Sequence, residues 1–153
     1  MLLDRRCHIL HVTGNDTDHL LLVELIQKTP ALVLEQAKGA SNALERLKSS
    51  AQADRPNLIM IDWLLQGPLT GDGLLSTLKT NKTLRSIPVI VIASTIDPPE
   101  IDRIYGLGAS CVIHRHSELQ KFTAAVELIY GFWGSVASLP FCDPAKPAKA
   151  SKF

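Results

Sequence analysis

A chain of 153 residues is long enough for one globular domain with a real core and too short for two ordinary ones. With 46% apolar residues, 20% charged residues and a formal net charge of +1, it sits with globular proteins, away from disordered and polycationic ones. The basic residues are dispersed apart from Lys146, Lys149 and Lys152, so no broad cationic face offers itself to a nucleic acid. Cys7, Cys111 and Cys142 are odd in number and far apart, which fits neither a disulfide framework nor a zinc set and suits a reducing cytoplasm. The N-terminus lacks an apolar segment of signal-peptide length and no later run could cross a bilayer, so a cytoplasmic protein without membrane contact is expected.

Short apolar, β-branched runs alternate five times with segments of helical period, the pattern of strand-helix units around a parallel sheet, an α/β fold. The first strand is predicted over His8 to Val12, followed by a helix opened by Asp16 or Thr17 and carrying Leu20, Leu21, Val23 and Leu25. The second strand is predicted over Ala31 to Ala37, with a helix from Ser41 presenting Leu44 and Leu47. Asn57 to Ile61 and Pro88 to Ile92 contain runs apolar at every position, as in central strands covered on both faces. Between them a helix runs from about Asp72 through Leu78. The fourth helix starts near Pro98 or Pro99 and stops at Gly106 or Gly108; Ser110 to His114 is the last strand, and a final helix spans Ser117 to about Trp133. One domain is expected over 6–136, with 137–153 a flexible tail rich in Pro, Ala and Lys in which Leu139 and Phe141 could dock.

In such a sheet ligands bind beyond the carboxyl ends of the strands, near the point where strand order reverses. The residues expected there are Thr13 and Gly14, Asp62, Ala93 and Ser94, and Arg115. A carboxylate directly after the apolar run Leu58 to Ile61, as Asp62 is, suits a nucleophile or a metal ligand; a simple cap is the structural alternative.

Four segments in order then carry a family resemblance: Ile9-Leu10-His11-Val12; Pro56 to Asp62 with Gly71-Asp72-Gly73 beyond; Ile87 to Ile92; and Gly108-Ala109-Ser110. Together they resemble the receiver domain of response regulators in two-component signalling, across about residues 6 to 130. The ending Gly131-Phe132-Trp133 through Leu139-Pro140 is similar to that of stand-alone receivers that partner phytochrome-type histidine kinases. The resemblance implies a flavodoxin-like, doubly wound five-stranded parallel sheet in the order 2-1-3-4-5. It also implies an aspartate, here Asp62, that takes a phosphoryl group from a kinase histidine. In the family, two acidic residues after the first strand, the acceptor and the carbonyl two residues later hold Mg²⁺. A hydroxyl after the fourth strand and a lysine after the fifth contact the phosphoryl oxygens, and an aromatic in the fifth strand follows the hydroxyl inward.

Laid on that pattern, the Mg²⁺ positions are Thr13, Gly14, Asp62 and Leu64, of which only Asp62 brings a carboxylate, so Mg²⁺ is expected to bind weakly if at all. Asn15, Asp16 or Asp18 stand near enough in sequence to substitute, but capping of the first helix is the expected job of Asp16 and Asp18. The hydroxyl position is Ala93, with Ser94 one residue late; the aromatic position is Val112; the lysine position is Arg115, a planar fork that can clamp an anion or pair with Asp62. His116 replaces the proline that usually follows that lysine.

Three further features have a functional and an ordinary reading. His114 and His116 share one face of an extended segment but lack a third ligand, so polar surface is expected there. Gly71-Asp72-Gly73, Gly106 and Gly108 punctuate helix ends and form no phosphate-binding fingerprint. Trp63 either crowds the Asp62 site or covers loop apolar surface.

The expected function is a non-enzymatic, degenerate receiver acting as a phosphorylation-independent interaction module, the alternative being an atypical phosphoacceptor at Asp62. An aspartate-nucleophile phosphatase is disfavoured because Leu64 stands where its acid-base carboxylate belongs. The expected partner is a histidine kinase, phytochrome-type by resemblance, or a downstream regulator. Phe132 and Trp133, close to Phe141, suggest a homodimer patch.

Overall fold

The computed structural model of the chain describes residues 7–49, 51, 54–94 and 97–141. Its elements follow in strict alternation: β1 (Cys7–Val12), α1 (Asp16–Ile26), β2 (Leu32–Ala37), α2 (Ala40–Ser49), β3 (Leu58–Asp62), α3 (Gly71–Thr80), β4 (Val89–Ala93), α4 (Pro98–Gly106), β5 (Cys111–His114) and α5 (Leu119–Gly131). All strand pairs are parallel, in the order β2-β1-β3-β4-β5, the flavodoxin-like receiver arrangement. β3 and β4 each run one residue beyond the sequence expectation, because Asp62 pairs in register with Ile92 and Ala93 with His114.

The alternation of side chains along each strand divides the core into two layers. Ile9, Met60 and Ile90 face Leu22 of α1 and Phe122, Val126 and Tyr130 of α5. Leu10, Ile59, Ile61 and Val91 face Leu47, Leu75 and Ile104 on the α2–α4 side. The Tyr130 hydroxyl donates to the Leu22 carbonyl (3.0 Å), tying α5 to α1 at a buried point where an unmade bond would be costly. Among the described residues no helix is long and apolar enough to cross a membrane.

Several helix ends differ from the sequence expectation. Asn15 caps α1, its Oδ1 accepting the Asp18 amide (3.0 Å), so neither Asp16 nor Asp18 is the cap. Any of the three can serve as a cap by residue type; the extended backbone at Asn15 decides it. α5 starts at Leu119 instead of Ser117, and its end widens into a π-helical turn over Phe132–Val136. A Cβ on Gly134 would come within 3.1 Å of Leu32 and 3.2 Å of Thr29, so this turn lies against the loop entering β2. Gly108, just past α4, has φ +111° and a Cβ there would meet the Lys79 side chain at 2.6 Å, so only glycine fits.

Leu139 packs against the α1/α5 layer and Phe141 against the opposite one, with Arg55 5.2 Å over the Phe141 ring. Residues 142–153, which contain the lysine cluster, Cys142 and most of the expected tail, lie outside the described residues. On the far edge of the sheet the Tyr105 hydroxyl of α4 accepts the Val112 amide of β5 (3.1 Å).

Candidate functional site

The strand ends gather into one cavity of about 610 Å³, lined by Gly14, Asn15 and Asp18 from the β1–α1 side, Asp62 and Leu64 at the end of β3, and Ser94 and Arg115. Parallel strands put all these residues at the same edge, which is why positions scattered over a hundred residues meet.

Asp62 is half-buried at the floor. Its Oδ2 accepts a hydrogen bond from the hydroxyl of Thr13, a residue with no exposed surface. The same Thr13 oxygen accepts the Asn15 amide (3.0 Å), which aims the hydroxyl proton at Asp62, and the Gln36 side chain donates to the Thr13 carbonyl (3.1 Å). Burial pushes the Asp62 carboxyl above the ordinary carboxylate range; the Thr13 hydrogen bond opposes this, the Asp18 charge adds to it and the Arg115 charge opposes it.

Arg115 does not bond Asp62. Its Nη2 donates to Asp18 Oδ1 (3.1 Å), its Nη1 to the His116 carbonyl (2.8 Å), and its guanidinium lies 4.4 Å from the Phe122 ring centre. Its Nε is buried and, among the described residues, has no hydrogen-bond partner. Asp18 therefore holds the arginine at the pocket wall, a role that the capping expectation missed. Asp16, also on the cavity lining, is engaged by Gln36 (3.0 Å) and Lys38 (3.6 Å).

Ala93 is buried, leaving no hydroxyl at its place, and Ser94 is exposed, its carbonyl accepting a hydrogen bond from His114 Nε2 (2.6 Å). Val112 is a partly buried aliphatic packed against the α2–α4 layer. His114 and His116 meet edge to face at 4.1 Å, and among the described residues no group of three or more His, Cys, Asp or Glu side chains forms a metal set. The Leu64 side chain is 80% exposed.

The Mg²⁺ that the resemblance implies does not fit this donor set. One oxygen of Asp62 is taken by Thr13, Gly14 contributes no side chain, Asp18 is committed to Arg115, and Asp16 to Gln36 and Lys38. A hard cation that sheds water reluctantly is left with one carboxylate oxygen and a carbonyl.

Trp63 borders the cavity beside Asp62, while its ring belongs to the core. It is buried in the α2–α4 layer, its Nε1 donating to Glu100 Oε1 of α4 (3.1 Å). Sequence reasoning also passed over His11. It is 1% exposed on β1, its Nδ1 lies 3.1 Å from Nδ1 of His19 on α1, and its Nε2 is buried without a partner among the described residues. A histidine inside the apolar run Ile9 to Val12 was the visible signal; its partner eight residues on was not.

No family model matches the chain. Response regulator Rcp1 of Synechocystis sp. is 26% identical over 86% of this chain and 92% of its own length, and two-component response regulator ARR17 of Arabidopsis thaliana is 28% identical over 76% and 80%. Among solved structures, the phosphorylated cyanobacterial phytochrome response regulator RcpA superposes with a TM-score of 0.80 at 28% identity, covering 88% of this chain and 99% of that one. The Mn²⁺-bound form of Rcp1 gives 0.79 at 26% identity, covering 87% and 98%.

Proposed function

We propose that this chain, a response-regulator receiver domain of two-component signalling, passes its signal by protein contact without a Mg²⁺-dependent phosphoryl switch. The observation that carries this reading is the Thr13 hydroxyl bonded to Asp62 where the family pattern has a metal-binding carboxylate. A hydroxyl there satisfies the acceptor oxygen directly and supplies no charge to hold a cation. The Arg115–Asp18 pair supports the same reading, since the cation meant for phosphoryl oxygens already has a carboxylate. With Ala93 and Val112 at the hydroxyl and aromatic positions, neither partner of the usual inward coupling is present.

The second reading, phosphate acceptance at Asp62, is favoured by the open cavity above that carboxylate and by the Arg115 charge that reaches it. Incubation with acetyl phosphate, or with beryllofluoride, in the presence of Mg²⁺ separates the two. Intact-mass and difference spectra are expected to show no stoichiometric change; an adduct formed by wild type and lost in Asp62→Ala would establish the second reading.

The likeness to phytochrome response regulators supports a phytochrome-type histidine kinase as the partner, with a downstream regulator the other candidate. A homodimer is supported by exposed apolar side chains at the end of α5: Leu128 (75%), Phe132 (49%) and Val136 (71%). Trp133 and Phe141, expected in this patch from the sequence, pack instead against the two core layers. Light scattering should give a dimeric mass for wild type and a monomeric one for Leu128→Glu. A monomeric wild type, or an unchanged dimer in the variant, would remove the homodimer.

A further inference from the structure

The residue after Asp62 is tied to α4 through its own side chain. Trp63 borders the cavity, and its ring packs in the layer on the opposite face of the sheet, in keeping with the alternation along β3. Its amide donates to the Ile92 carbonyl (2.9 Å), fixing the backbone beside the acceptor to β4. The indole Nε1 donates to Glu100 Oε1 in the first turn of α4 (3.1 Å). Arg103, one turn on, bonds Glu100 through Nε (3.0 Å) and Nη2 (2.6 Å), reaches Asp72 of α3 (2.6 Å), and lies 5.8 Å from the Trp63 ring centre. A Cβ on Gly71 would stand 2.7 Å from the Trp63 carbonyl oxygen and 3.1 Å from the ring, so the start of α3 closes the remaining side. The indole is therefore boxed by α3 and α4 and has one polar tether, to α4.

We propose that Trp63 is the positioning residue that ties the charge state of the Asp62 pocket to the placement of α4, in the role that Ala93 and Val112 cannot play. A peptide bond separates Trp63 from the carboxylate, and a tightly packed neighbourhood transmits a small shift at the end of β3 instead of absorbing it. The Glu100 acceptor converts that shift into a gained or lost hydrogen bond at the N-terminal turn of α4. The inference goes beyond the protein-contact reading proposed above: it assigns Trp63 as the link between the pocket and α4.

Hydrogen exchange on the full-length protein tests it. Asp62→Asn removes the pocket charge while keeping an acceptor for Thr13, and should change exchange of the α4 amides about fivefold, the worth of one ordinary hydrogen bond. In a Trp63→Phe background, which keeps the ring and removes only the donor, the same change at Asp62 should leave α4 unmoved. Glu100→Gln, which retains a carbonyl acceptor, should preserve the response, and Glu100→Ala should abolish it. A packing role alone predicts the response intact in Trp63→Phe; that result, or no α4 response to Asp62→Asn in the parent, overturns the proposal. An acyl phosphate on Asp62 would instead overturn the phosphorylation-independent reading and leave this outcome standing.

Discussion

Acidification from pH 6.5 to 3 should cost the fold on the order of 5 kcal/mol through His11 alone. Burial and the facing His19 hold the His11 imidazole down to about 3 from an ordinary 6.5, and each tenfold in proton affinity is worth about 1.4 kcal/mol. The unfolded chain takes up a proton below pH 6.5 that the folded chain refuses, so stability falls as pH falls across that window and is fully present above it. Against the roughly 5–15 kcal/mol that holds an ordinary domain, this loss brings the protein close to acid unfolding. The groups facing the ring sharpen the expectation: Nδ1 meets another imidazole, itself lowered by burial, while Nε2 has no acceptor to welcome a proton. Asp62 works the other way, because a carboxyl raised by burial gains stability for the folded state as pH drops through its folded value. Comparison with His11→Leu therefore isolates the histidine. Urea titrations at several pH values should show a steep loss in wild type and a shallow one in the variant, and parallel curves would refute the assignment.

Placing an acidic pair at Thr13 and Gly14, where receivers that the chain resembles carry one, should make the stability of the fold depend on Mg²⁺. In Thr13→Asp/Gly14→Asp, two new carboxylates crowd half-buried Asp62, and the metal-free fold should lose about 1–3 kcal/mol from the lost hydroxyl contact and like-charge repulsion. Space is available, since a Cβ on Gly14 meets only the Lys38 carbonyl oxygen at 3.5 Å. Mg²⁺ at a hundred times its dissociation constant then returns about 2.7 kcal/mol. Thermal melts should rise with Mg²⁺ in the double variant and stay flat in wild type. A wild-type melt that rises equally would show that the native donor set already holds the ion.

The fold was readable because its central strands are apolar without interruption: Leu58 to Ile61 and Val89 to Ile92 admit few other placements than a doubly covered sheet. Their ends were one residue short because Asp62 and Ala93 continue the ladder by register, which composition does not encode. At the site, the strand-end positions were legible and the contacts were not. Asp18 and Arg115 lie 97 residues apart, and nothing local distinguishes an aspartate that caps α1 from one that reaches across to β5. Trp63 was legible as an unusual residue, but its direction depends on Gly71 and Glu100, which only packing brings together.

The Tyr105 hydroxyl on the Val112 amide bears on how any partner approaches this domain. β5 is an outer strand, and outer strands invite a neighbour to extend the sheet through their open backbone groups. Here the mid-strand donor is already engaged and an aromatic ring stands across the edge, so an incoming strand would begin by breaking a bond. Recognition on that side is thereby confined to side-chain surfaces, which protects the domain from promiscuous sheet growth and lets selectivity be set by the helices that flank the edge.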